Sequence, residues 1–264
     1  MRFSFFLILL FTSMLHAQNK PSPYEISWAK DATWLGTGLA GTVTGFLIIQ
    51  NKDDISEETI LNLDKENVPS FDRWSAGNYN EDLNKISDIP FYTSFAIPFA
   101  VLFTGEQNNN LGQLSVMYLE SLSTTAALFT ISAGLTDRIR PRAYNEDLDL
   151  ETRTKSTNSR SFYSGHVAAS ATATFFAAKV WTDFNPDMKN KWLIWTGAAL
   201  VPATVGVLRV EAGNHFLSDV LLGYALGAAS GILVPELHKK KYDNLSFTPV
   251  FDTEFKGVYL SYTF

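Results

Sequence analysis

Long apolar stretches separated by polar ones run through the chain, and most of them have helical length. Residues 26–50 end in Leu35-Gly-Thr-Gly-Leu-Ala-Gly-Thr-Val-Thr-Gly-Phe-Leu-Ile-Ile49, without a charge. Small residues recur along it, as on helix faces that pack closely. Positions 51–88 turn polar and acidic, with Asp53, Asp54, Glu57, Glu58, Asp64 and Glu66. They predict short helices and loops over one end of a bundle. Helical patterns return at 89–105, broken by Pro90 and Pro98, and at 112–136, with Glu120 mid-run. Pro141 stops the second, because the residue before a proline avoids helical backbone. About twenty polar residues then lead to Ser161, and a loop this long in a compact domain is commonly functional. Helices follow from Gly165, over 190–208 and through 221–234. The last twenty residues change period: 246–251 and 258–264 read as two strands around a turn at 252–257. The expected fold is all-α, a bundle of about six core helices with a small C-terminal β-hairpin.

The first residues change the picture of where this bundle resides. Arg2, the apolar run Phe5–Phe11 and the exit Leu15-His16-Ala17 have the form of a secretory signal. The run falls short of the roughly 20 residues that a membrane span needs. The expected organisation is a signal at 1–18, an N-terminal helix and polar connector at 19–88, the catalytic bundle at 89–244 and the hairpin tail at 245–264. Export to the cell envelope follows, as a periplasmic or membrane-associated protein, with an integral membrane form as the close alternative. Mean hydropathy is near zero, and Glu120 and Lys179 interrupt apolar segments, which weighs against six spans. The absence of cysteine suits an exported chain that needs no disulfides. A net charge of -6 excludes a general nucleic-acid binder.

Three polar clusters carry candidate chemistry. Asp137-Arg138-Ile139-Arg140-Pro141-Arg142 concentrates positive charge at a helix exit; alone it reads as a solvated basic turn. Ser164-Gly165-His166 opens a helix, where free N–H groups and the dipole attract anions; alone, Ser164 reads as an N-cap. Arg209-Val-Glu-Ala-Gly-Asn-His215-Phe-Leu-Ser-Asp219 sets a cation, an imidazole and a carboxylate in order. His215 and Asp219 are four apart, so on a helix the carboxylate reaches one imidazole nitrogen and leaves the other free to attack. Asp72-Arg73-Trp74 reads as a structural salt bridge beside a buried tryptophan, and His238, beside Lys239-Lys240-Lys241, as surface. No Walker loop, dinucleotide fingerprint or zinc spacing is present.

Taken in order, the clusters resemble the phosphatidic acid phosphatase type 2 superfamily, which includes lipid phosphatases, class A acid phosphatases and vanadium haloperoxidases. Its pattern is Lys-x6-Arg-Pro, Pro-Ser-Gly-His and Ser-Arg-x5-His-x3-Asp. The resemblance spans about 90–235. Three positions depart from it: Ala133 for the lysine, Tyr163 for the proline and Leu208 for the serine. The resemblance implies a metal-independent phosphatase acting on a lipid phosphate, an isoprenoid pyrophosphate or a small phosphoester. It implies His215 as nucleophile, Asp219 as its holder and His166 as general acid and base. Arg140, Arg209, Ser164 and Gly165 are then the phosphate binders, with Arg138 standing in for the missing lysine. No cofactor is expected; vanadate enters only in the alternative reading as a haloperoxidase. The other alternative is an inactive envelope protein that keeps the fold. A membrane surface is the expected neighbour besides the substrate.

Overall fold

The computed structural model describes residues 21–240, 245–251 and 256–262. The signal expected at 1–18 lies outside the described residues. Six long helices form the body: α1 (Trp28–Gln50), α2 (Glu81–Leu102), α3 (Leu111–Leu135), α4 (Gly165–Phe184), α5 (Lys191–Glu211) and α6 (Leu217–Leu237). The fold is all-α, as the apolar pattern predicts. Strands β1 (Leu245–Phe251) and β2 (Lys256–Tyr262) pair antiparallel, Leu245 opposite Tyr262 and Phe251 opposite Lys256.

Local chemistry sets the helix starts. Asn80 caps α2: its Oδ1 accepts the Leu83 N–H at 3.0 Å, and Glu81 and Asp82 sit at the positive end of the helix dipole. α2 departs from the pattern reading in two respects. It begins at Glu81 rather than 89, so the boundary drawn after 88 falls inside it. It also runs through Pro90 and Pro98. Propensity is a weak prior, and packing against α4 and α5 overrides it here.

α4 is the central helix, in contact with α2, α3, α5 and α6. Its Ala, Ser and Thr residues permit close approach, and the Thr172 and Thr174 hydroxyls bond across the helix contacts. Thr172 bonds Thr125 at 2.7 Å, and Thr174 donates to the Ala198 carbonyl at 2.8 Å. Gly223 on α6 has no room for a side chain, since a Cβ there would lie 2.5 Å from the Ser164 carbonyl oxygen. Among the described residues four helices, Trp28–Gln50, Gln107–Leu135, Lys191–Glu211 and Leu217–Leu237, are long and apolar enough to cross a membrane. Their outward faces leave Leu39, Phe46, Leu128, Leu200 and Leu221 exposed. Large apolar side chains exposed along helices of this length mark a membrane or partner face.

Helix ends gather at two poles. At one, Lys52 beyond α1 donates to the Thr136 carbonyl beyond α3 at 2.7 Å, and Arg209 near the end of α5 reaches Asn84 at the start of α2. At the other, Ser22 bonds Gln113 at 2.5 Å, Tyr24 bonds Asp183 at 2.7 Å, and Tyr24 pairs with Lys239 by an isolated β-bridge.

Several residues lie elsewhere than the sequence suggests. His238 is buried, not on the surface, with Nδ1 2.8 Å from the Val234 carbonyl, because α6 ends against α1 and α3. Trp74 is exposed. Asp72 is buried and pairs with Arg138 at 2.7 Å, while Arg73 pairs with Glu66. Lys179 is held inside by Asp183 and Glu236, at 2.5 and 2.6 Å.

Candidate active site

The three clusters meet at the first pole. α5 delivers Arg209 in its last turn. The chain then reverses at Gly213, whose φ of +73° and contact with the Asn78 carbonyl both exclude a side chain. That reversal aims Asn214 and His215 inward, both almost fully buried. α6 begins immediately after, at Leu217, with Asp219 in its first turn.

His215 and Asp219 do not share a helix face, because His215 precedes the helix. The expected contact between them is replaced by another. His215 Nδ1 lies 2.7 Å from the Ser161 carbonyl. A carbonyl only accepts, so Nδ1 carries the hydrogen and Nε2 keeps its lone pair. Asp219 instead accepts from the Ser161 hydroxyl at 2.6 Å, from the Phe216 N–H at 3.0 Å and from Arg138 Nη1. Ser161 thus holds the imidazole with its carbonyl and the carboxylate with its hydroxyl, while its own N–H donates to the Arg138 carbonyl at 2.9 Å.

Both terminal nitrogens of Arg138 are engaged by protein. Its Nη2 donates to Asp72 at 2.7 Å, its Nη1 to Ser218 and Asp219, and its guanidinium covers the Phe216 ring at 4.8 Å. This differs from the expected role of a free phosphate-binding cation. Asp72 is anchored in turn by the Ser218 N–H and hydroxyl, at 3.0 and 2.6 Å. Ala133 is fully buried in α3.

The remaining arginines surround the imidazoles with donors still free. Arg209 Nη1 donates to Asn84 at 2.8 Å, and Arg140 makes only long bonds, to Asn214 at 3.3 Å and the Arg160 carbonyl at 3.5 Å. The Nε groups of Arg140, Arg160 and Arg209 and the Ser164 hydroxyl are buried without a hydrogen-bond partner. Burial and the nearby Arg142, Arg209 and Arg160 pull Arg140 well below its usual value. Buried donors without acceptors, among like charges, form a site that an oxyanion satisfies. Arg142 is tied to Asn158 at 2.6 Å and borders the group.

Ser164 and Gly165 open α4, and His166 follows in its first turn at the loop pole. Phe91 lies against the His166 ring at 4.2 Å between centroids, and Asp88 is 3.6 Å from its Nε2. Burial, then Arg209 and Arg140, push His166 down to about 3. Burial and the same arginines hold His215 well below its usual value. Both imidazoles are therefore neutral at pH 7. Tyr163, in the position expected for proline, is buried edge-on to Phe129 at 5.9 Å.

Sequence reading misses Arg160, Ser161, Asn158, Asn84 and Asp88 as parts of this pole and reads Asp72 as a structural salt-bridge residue. Arg160 and Ser161 stand just before a motif, a signal that adjacency alone could have raised. Asp72, Asn84 and Asp88 come from the connector and the first turns of α2, where no spacing marks them.

Residues 114–243, about half the chain, match the PAP2 superfamily. Among solved structures, a transmembrane PAP2-type phosphatidylglycerolphosphate phosphatase from Bacillus subtilis aligns at 18% identity with a TM-score of 0.46. The alignment covers 76% of this chain and 94% of that one. No curated protein matches the sequence.

Proposed function

From a chain that belongs to the PAP2 superfamily, we propose a metal-independent phosphatase that works through a phosphohistidine and acts on a lipid phosphate at a membrane. The observation that carries this reading is the pairing of a buried imidazole whose Nε2 lone pair is free with buried arginine and serine donors that lack acceptors.

In the proposed reaction, His215 Nε2 attacks phosphorus as the bond to the leaving oxygen breaks. Ser161 keeps the hydrogen on Nδ1, so the attacking nitrogen is always the same one. Arg140, Arg160, Arg209, Ser164 and the amides at the start of α4 hold the equatorial oxygens, where transition-state charge spreads. His166 protonates the leaving oxygen and then takes a proton from the water that hydrolyses the phosphohistidine. Resting His166 is neutral through its burial and the pressure of Arg209 and Arg140. A phosphate dianion offsets those charges, so substrate arrival favours the protonated acid. Arg138 and Asp72 act behind Asp219 as positioning residues.

Two observations favour a lipid. Four helices have the length and apolarity of membrane spans. An apolar groove of about 550 Å³ between α5 and α6 also reaches Val210 and Leu217, which follow Arg209 and His215 by one and two residues in sequence. An acyl chain lying there would bring its phosphate to the arginines.

The test is phosphate release from a short-chain phosphatidic acid and from an aryl phosphate, by wild type and His215→Ala, with and without vanadate. Turnover that vanadate inhibits and His215→Ala abolishes is expected, with the lipid preferred. A labelled, acid-labile and base-stable phosphoenzyme should accumulate in His166→Ala and be absent from His215→Ala. Full activity in His215→Ala would remove the mechanism, and preference for the aryl phosphate would remove the lipid assignment.

A further inference from the structure

We propose that the pole opposite the active site binds a divalent transition-metal ion, Zn²⁺ by its ligand spacing, on Asp31, Glu120 and His238. Asp31 lies in the first turn of α1, Glu120 in the middle of α3, and His238 just beyond α6. Each offers one donor atom, and the three atoms lie within 4.8 Å of one another. His238 Nε2 is 3.1 Å from Glu120 Oε2 and 3.5 Å from Asp31 Oδ1. Tetrahedral zinc, with N and O ligands at about 2.0–2.2 Å, sets neighbouring donors about 3.4 Å apart. The two separations from His238 Nε2 bracket that value.

The outer contacts are those of a ligand set. His238 Nδ1 donates to the Val234 carbonyl at 2.8 Å, which turns the Nε2 lone pair toward the carboxylates. Asp31 Oδ2 accepts the Ser27 N–H at 2.7 Å and leaves Oδ1 facing the cluster. Glu120 is fully buried; its Oε2 faces only His238 Nε2, and its Oε1 has no hydrogen-bond partner. A buried carboxylate oxygen without a donor is a position that a cation satisfies.

Charge leads to the same conclusion. Two carboxylates with a neutral imidazole leave two negative charges in the interior. A proton on Nε2 leaves one, and a divalent ion leaves none. The neighbouring Lys179 and Lys239 are already paired with Asp183 and Glu236. Among the described residues no lysine or arginine forms an ion pair with Asp31 or Glu120. The Trp34 ring, 6.1 Å from that of His238, borders the cluster. The ion would tie the first, third and last long helices together. Its role is structural, because α6 separates it from His215 by about 30 Å, and it is independent of the phosphatase reading.

The test uses the full chain purified in detergent, with Zn²⁺, Mn²⁺ and Mg²⁺ supplied separately. Wild type is expected to retain about one Zn²⁺ per chain after desalting. Chelation should lower its apparent melting temperature by about 5–10 °C, and Zn²⁺ but not Mg²⁺ should restore it. Glu120→Gln and His238→Gln should lose both the metal and the response. Phosphate release by the chelated enzyme at room temperature should be unchanged. Wild type without bound metal after growth with each ion, and with no melting response to any of them, overturns the proposal and leaves a proton as the occupant. Chelation that stops phosphate release without moving the melting temperature overturns the structural role. Both readings come from wild type, so a variant that fails to fold does not block the test.

Discussion

Replacing Asp72 with asparagine keeps the side chain's size and removes its charge at a fully buried position. Three bonds end on the carboxylate: Arg138 Nη2 at 2.7 Å, the Ser218 N–H at 3.0 Å and the Ser218 hydroxyl at 2.6 Å. Hydrogen bonds to charged groups contribute about 1.5–3 kcal/mol each, and removing one partner of a buried pair costs about 3–5 kcal/mol. The variant keeps one carbonyl oxygen. Arg138 keeps Asp219 and the Phe216 face, and its side chain is 23% exposed. Those three facts reduce the expected loss to about 2–3 kcal/mol, or about 5–10 °C in apparent melting temperature. Arg138 also positions Asp219, so kcat should fall by about tenfold, while KM, set by Arg140 and Arg209, moves less than about threefold. The assays are thermal unfolding in detergent and phosphate release, with Arg138→Ala completing a double-mutant cycle. Coupling of at least about 1 kcal/mol is expected. A melting temperature and kcat equal to wild type, or strictly additive variants, would refute the chain from Asp72 to the imidazole.

Arg140→Ala should lower kcat by about 10²–10³ and weaken vanadate inhibition, and Arg140→Lys should recover only part of both, because a point charge does not reproduce the guanidinium fork; steady-state rates with vanadate titrations check this. Gly213→Ala forces a side chain into a left-handed turn and onto the Asn78 carbonyl, so loss of about 2–4 kcal/mol of stability and nearly all activity is expected, read by thermal unfolding. The depressed pKa of His215 gives a stability effect of known sign. Unfolded chains bind a proton as pH falls through about 6.5 and the native site does not, so its contribution is present above that pH and lost below it. Between pH 7.5 and 5.5 that loss is about 1.4 kcal/mol, and the acid-induced fall in melting temperature should shrink by about 3–6 °C in His215→Ala.

The helix count and the order of the three motif clusters were legible because apolar periodicity and close spacing are properties of neighbouring residues. The start of α2 is not, since its capping residues Asn80, Glu81 and Asp82 lie in the polar connector, ahead of the apolar run that carries Pro90 and Pro98. The partner of Asp219 was misjudged for a similar reason. A spacing of four implies a shared face only if both residues are helical, and His215 lies in the reversal set by Gly213. Asp72 and Ser161 contribute through contacts spanning 66 and 54 or more residues of sequence, which no local pattern encodes. The same holds for Asp31, Glu120 and His238, whose separations fit no metal-binding spacing.

The six long helices among the described residues are an even number, and that parity has a consequence for sidedness. The connectors after α1, α3 and α5 supply Asp72, Ser161 and His215, so the catalytic side chains gather at one pole. Tyr24 and Lys239, which flank the bundle in sequence, meet at the other. In a membrane, a reporter fused next to either flank would sample the compartment that the substrate's phosphate does not enter. A phosphate-directed reagent and a flank-directed protease would then act from opposite faces of the same bilayer.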